Sequence, residues 1–183
     1  MKETFSELIA YLKNPVLVKD ENTNTNYRLK KFFHLLIISI ITSAIIMPVF
    51  GLIESSGLVD MNQHAMEELM EQYPKIFIFF LAVILAPVLE ELIFRAPLTL
   101  FYNKNYFKPA FYVFAILFGL VHITNFTITT NVLLLAPILV LPQTILGGYL
   151  GFIRVKFGLA WSILLHATYN AFFILISFGS DLF

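Results

Sequence analysis

The feature that most constrains this chain is Pro87-Val88-Leu89-Glu90-Glu91-Leu92-Ile93-Phe94-Arg95-Ala96-Pro97, where two carboxylates and a guanidinium interrupt an otherwise apolar run. Residues 76–89 carry no charged or polar side chain, yet that stretch falls short of the about 20 residues a helix needs to cross a bilayer. The span therefore continues through Glu90, Glu91 and Arg95. A charge at membrane depth is costly, so such groups face the protein interior, find partners and mark function by default. Glu91 and Arg95 are four apart with the acid on the N-terminal side, the favourable order for a pair on one helical face. Glu90 points about 100° away and has no basic residue three or four positions from it. Its partner is expected from another helix. The competing reading is a buried ion network that only locks helices together.

Composition sets the solvent. At 58% hydrophobic and 13% charged over 183 residues, the chain lies outside the range of soluble domains. It predicts an all-α polytopic membrane helix bundle of about five transmembrane helices with short interfacial helices. Net charge is zero, and half of the twelve basic residues precede the first apolar run. That is a membrane-flanking bias with no footprint for nucleic acid. The absence of cysteine excludes a disulfide framework, a thiol nucleophile and a thiolate metal site. The first apolar run starts at Phe32 and has spanning length, so it is not expected to be a cleaved signal peptide.

Two regions follow in order: a cytoplasmic amphipathic segment and linker, residues 1–31, and a single membrane domain, residues 32–183. Phe5, Leu8, Ile9 and Leu12 recur at helical spacing and predict a short helix lying on the membrane surface. Spans are expected over residues 32–53, 74–102, 107–122, 132–153 and 157–178. Pro48 and Pro97 are expected to bend the first two. His34 reads as an interfacial histidine, and Asp60 as the cap of a short amphipathic helix running to Met70, with His64 on its solvated side. Gly147 and Gly151 permit close helix approach in the fourth span, and Arg154 with Lys156 reads as the next loop. Basic residues fall before the first span, between the second and third, and between the fourth and fifth. Lys75 is the exception. The positive-inside rule then places the N-terminus in the cytoplasm and the C-terminus outside.

Depth brings scattered polar residues together. By the helical rise, Glu90 lies roughly 20 Å from Asn103, and His122 roughly 21 Å from Lys108. His166 and Asn170 lie roughly 15 and 21 Å from Lys156. A carboxylate, two imidazoles and an amide from three helices can therefore share one layer of the membrane.

Glu90-Glu91-xxx-Arg95, Phe118-xxx-His122 and His166-xxx-Asn170, in that order, resemble the three motifs of the CPBP intramembrane metalloprotease family. This family is also known as the CAAX protease and bacteriocin-processing, or Abi, family. The resemblance covers a catalytic core at residues 76–178. It implies an intramembrane endopeptidase, a peptide or membrane-protein substrate, a lipid bilayer environment and, from the family's short members, a bacterial cytoplasmic membrane. The family name points to a metal; a later view of the family as glutamic proteases points to none.

Peptide hydrolysis needs an activated water, a stabilised oxyanion and a proton for the leaving amine. Glu90 is the expected general base, His122 holds or polarises the water, and His166 and Asn170 serve the oxyanion. Glu91, Arg95 and Phe118 support the site. No cofactor is expected, with zinc on Glu90, His122 and His166 as the alternative. Asp20, Asp60 and Asp181 all lie outside the spans, which removes an intramembrane aspartyl dyad, and no His-Glu-xx-His motif occurs. Ser162 precedes His166 by four and leaves a serine–histidine pair open. An immunity or scaffold protein, or a proton-relaying transporter, remains as the non-proteolytic class.

Overall fold

The computed structural model describes residues 1–60, 69, 70 and 72–180. The α-helices are α1 (Lys2–Lys13), α2 (Thr25–Ser55), α3 (Lys75–Phe79), α4 (Ala86–Phe94), α5 (Lys104–Val121), α6 (Thr130–Leu139), α7 (Leu141–Phe157) and α8 (Leu159–Ser180). A π-helical stretch, Phe80–Leu85, joins α3 to α4, and 3-10 turns follow α4 at Ala96–Leu100 and α5 at His122–Asn125. The helix expected between Asp60 and Met70, with His64, falls mostly on residues 61–68, outside the described residues.

Five stretches are long and apolar enough to cross a membrane: Thr25–Ser55, Lys75–Leu100, Asn105–Asn125, Thr130–Phe157 and Leu159–Gly179. Large apolar side chains cover their outer surfaces, with Ile45, Ile76 and Leu134 exposed by 72, 77 and 75%. Such a surface suits lipid and would be a liability in water. The protein is an all-α integral membrane bundle.

Three spans differ from expectation, each for a local reason. The first begins at Thr25 rather than Phe32, because the Asn24 side chain caps it by accepting the Tyr27 N–H at 3.1 Å. The second leaves α-helical geometry twice, in the π-helical stretch Phe80–Leu85 and again after Phe94, where Pro97 disfavours the α conformation for the residue before it. The fourth is two helices broken at Val140, between Pro137 and Pro142. Pro142 lacks the N–H that would continue the ladder, and it is tolerated because it opens α7.

The fourth span is also the most enclosed, 39% buried against 22 to 28% for the others, and α7 is the central post. Gly147 and Gly151 let α5 approach as expected. A Cβ on Gly147 would lie 3.1 Å from the Ala115 carbonyl oxygen, and one on Gly151 would lie 2.6 Å from the Phe111 ring. A side chain at Gly151 would force the Phe111 ring to move, and one at Gly147 would press on the α5 backbone.

Helix α1 does not lie free on the surface. It packs into the same core as α2, α5 and α7 through Leu8 and Tyr11, while Phe5 is 46% exposed. Polar contacts fix its rotation. Thr4 Oγ1 meets His34 Nδ1 at 2.8 Å, the Tyr112 hydroxyl donates to the Leu12 carbonyl at 2.8 Å, and Glu7 pairs with Lys31. His34 thus has a protein partner that its position in the sequence did not reveal. The linker after α1 is also pinned, with the Asp20 N–H donating to the Lys156 carbonyl at 3.1 Å. The Asp20 carboxylate accepts from the Tyr27 hydroxyl at 2.8 Å and the Asn22 N–H at 2.9 Å. Burial pushes that carboxyl up, but these two donors, with Lys31 and Lys156 nearby, outweigh it and hold Asp20 below the usual carboxylate range.

Candidate active site

The helix that carries Glu90 and Glu91 is not a regular α-helix upstream of them. Within Phe80–Leu85 the N–H of Ala86 bonds to the Leu81 carbonyl, five residues back. The next bond in that series would run from residue 87 to Ala82, but Pro87 has no N–H to give. The Asn170 amide nitrogen of α8 donates to the Ala82 carbonyl instead, at 2.8 Å. A buried backbone carbonyl in a membrane helix needs such a partner. Each π-turn adds a residue to the turn, so the stretch resets the direction in which Glu90 and Glu91 emerge.

Glu90 finds its partners on other helices, as its isolation in sequence required. Its Oε2 lies 3.9 Å from His122 Nε2 and 3.7 Å from His166 Nε2. That oxygen is buried and has no hydrogen-bond partner among the described residues. The far side of each imidazole is spoken for. His122 Nδ1 is 2.7 Å from the Phe118 carbonyl, and His166 Nδ1 is 3.1 Å from Glu91 Oε1. Both of those oxygens can only accept, so each Nδ1 carries the proton and each neutral imidazole turns an Nε2 lone pair toward Glu90.

Glu91 is fully buried and does more than pair with Arg95. It receives the Ser162 hydroxyl and His166 Nδ1, while Arg95 Nη1 stands off at 3.7 Å. Ser162 also meets the Leu150 carbonyl at 3.1 Å. Its hydroxyl is therefore turned to Glu91 and backbone rather than to His166. Arg95 is 1% exposed and spreads its guanidinium over the Phe118 ring, 3.8 Å from the centroid. The same ring meets His122 and His166 edgewise, with centroids 4.9 and 5.5 Å apart. Phe118 thus spaces the two imidazoles and floors the cation.

Arg154 was expected in a loop. It instead ends α7 half-buried, donating from Nε to the Arg95 carbonyl at 3.0 Å and from Nη2 to Thr99 Oγ1 at 3.1 Å. A cation on the last carbonyls of α4 is favourably placed against the helix dipole. The one sequence signal for this was its helical spacing from Gly147, seven residues earlier.

The chemistry follows from the acceptor count. Glu90 Oε2 and two Nε2 lone pairs face one another, which attracts hydrogens rather than another acceptor. Among the described residues no three His, Asp or Glu side chains form a ready-made metal site.

A five-span bundle with a buried carboxylate–imidazole cluster defines the class, a polytopic membrane protein with an acid–base site inside its spans. Comparison with known families then fixes the group. The model described as type II CAAX prenyl endopeptidase Rce1-like matches residues 72–172, more than half the chain, and the chain belongs to that family of proteases. The match includes every site residue from Glu90 to Asn170. No curated protein and no solved structure matches the chain.

Proposed function

We propose that this protein is an intramembrane endopeptidase that hydrolyses peptide bonds with a water activated by Glu90 and His122. The observation that carries the reading is the unpartnered, buried Oε2 of Glu90 facing two imidazole lone pairs. A water among these atoms donates its hydrogens to the carboxylate and to His122, which leaves its oxygen lone pair free to attack. The oxygen bonds to the scissile carbonyl carbon, its proton passes to Glu90, and the carbonyl oxygen becomes an oxyanion. On substrate binding His166 takes up a proton at Nε2, which turns it from acceptor to donor, and with Glu91 at Nδ1 as counter-ion it hydrogen-bonds that oxyanion. Asn170 supplies the second amide hydrogen left over from its bond to Ala82. The C–N bond then breaks as Glu90 returns the proton to the leaving amine. No metal takes part. The basic ends of the spans lie in the cytoplasm, with the N-terminus there, in a bacterial cytoplasmic membrane. Substrates are peptides or membrane proteins that reach the site from the bilayer.

The test is cleavage of a quenched fluorescent peptide library by detergent-purified protein, with wild type and Glu90→Gln compared with and without a strong zinc chelator. Loss of the base should lower turnover by about 100- to 10,000-fold while the thermal unfolding midpoint stays unchanged, and the chelator should have no effect on the wild type. Full activity in Glu90→Gln would sink the mechanism. Activity lost to the chelator and restored by zinc would replace it with metal chemistry.

A further inference from the structure

One stripe of α7 faces the site along its whole length. Gln143, Gly147, Leu150 and Arg154 recur at i, i+4, i+7 and i+11, which places them on a single helical face. Three of the four touch the cluster. A Cβ on Gly147 would lie 3.2 Å from Arg95 Nη2, the Leu150 carbonyl meets Ser162, and Arg154 holds the Arg95 carbonyl. Gln143 is the outermost member of the stripe.

Its level follows from its neighbours. Helices α5 and α8 both run antiparallel to α7: Gly147 sits against Ala115, Thr144 against Gly119, and Leu150 against Ser162. One turn outward from Gly147, Gln143 stands level with the Gly119–His122 turn of α5. Two turns outward from Leu150, it stands level with the His166–Asn170 turn of α8. By helical rise it is thus level with the outer side of the histidine pair. The Gln143 Oε1 is buried and has no hydrogen-bond partner among the described residues. A buried amide oxygen left unpaired is destabilising, so in this setting it points to a partner that arrives from outside the chain.

We propose that Gln143 binds substrate by pairing with its peptide backbone beside the scissile bond; this rests on the peptidase reading above. A carboxamide offers an acceptor and a donor side by side, the complement of a peptide group's own N–H and C=O. A peptide entering a dry site must satisfy its backbone groups there. An uncharged partner does this for any side-chain sequence. Glu90 and the histidines cut, and Gln143 sets the register of the strand being cut.

The test uses one peptide that the wild type cleaves, together with ester analogues in which each backbone N–H near the scissile bond is replaced in turn by oxygen. Gln143→Leu should raise KM about tenfold with kcat little changed, the worth of one good hydrogen bond, and should leave the thermal unfolding midpoint equal or higher. One ester position should weaken cleavage by the wild type yet make no further difference in Gln143→Leu. Gln143→Asn, which keeps a shorter amide, should fall between the two. A wild-type KM in Gln143→Leu, or ester penalties that persist undiminished in it, would overturn the assignment and leave the peptidase standing. A wild type that cleaves no peptide overturns both.

Discussion

At the residue scale the two adjacent carboxylates are treated oppositely. Glu91 is surrounded, with Ser162, His166 and Arg95 around one carboxylate. Glu90 Oε2 is buried without a hydrogen-bond partner among the described residues, as are Arg95 Nη1 and Nη2, which lie over the Phe118 ring instead. Arg95→Ala would strand Glu91 without its cation and remove the plate that lies on Phe118. Breaking a buried pair by deleting one partner costs about 3–5 kcal/mol, so this variant should unfold in detergent at a clearly lower temperature than wild type. An unchanged midpoint would mean that Ser162 and His166 alone satisfy Glu91. The adjacent pair Glu90-Glu91 and the spacing to Arg95 were legible in the sequence. That Glu91 orients His166 was not, because a histidine 75 positions away gives no local signal.

At the scale of the element, the informative feature is the irregular helix leading to Glu90. Asn170 completes the Ala82 carbonyl, and in the proposed mechanism it also faces the oxyanion; the two roles can be separated. Asn170→Ala should cost about 1–3 kcal/mol by leaving that carbonyl unpaired, and peptide cleavage should fall with it. Adding Pro87→Ala restores an N–H at residue 87 that can reach Ala82, so the unfolding midpoint should recover while cleavage stays low. Recovery of both together would assign Asn170 to holding the helix alone. The break at Val140 has a similar origin, since prolines on either side decide where α6 ends and α7 begins. Prolines are visible in a sequence; whether a distant amide or a helix start absorbs their missing N–H is not.

For the whole molecule, the N-terminal segment is part of the bundle, latched at the basic end by Asp20. Its carboxyl is held below the usual range, so the folded state binds a proton less readily than the unfolded chain. The latch is therefore fully in force above the unfolded aspartate value of about 3.9 and is lost as pH falls through the lower folded value. Trp161, the one tryptophan, packs on Phe32 and Phe157, and Phe157 in turn touches Tyr27 of the latch. Its emission should shift on acidification through that window. Asp20→Asn should show the shifted emission already at neutral pH and lose the acid transition. An identical acid midpoint in both proteins would remove Asp20 from the latch. The segment read as a surface helix because Phe5, Leu8, Ile9 and Leu12 form a stripe; the bundle instead took the Thr4, Leu8 and Tyr11 face, where two polar tips could be satisfied.

What the sequence determined by itself was depth and order. The thickness of a bilayer and a fixed rise per residue set which side chains share a layer, whatever the helices pack against. That reasoning selected Glu90, His122, His166 and Asn170; the structure brings the first three together, while the Asn170 amide goes to the Ala82 carbonyl. The tertiary structure alone decided azimuth: which face of each helix turns inward, and so which acceptor meets which donor. Glu91 on His166, Asn170 on Ala82, Arg154 on the end of α4 and the buried Oε1 of Gln143 all depend on rotation about a helix axis. Rotation is set by neighbours and by one π-turn, and neither is written in the spacing of residues along a single span.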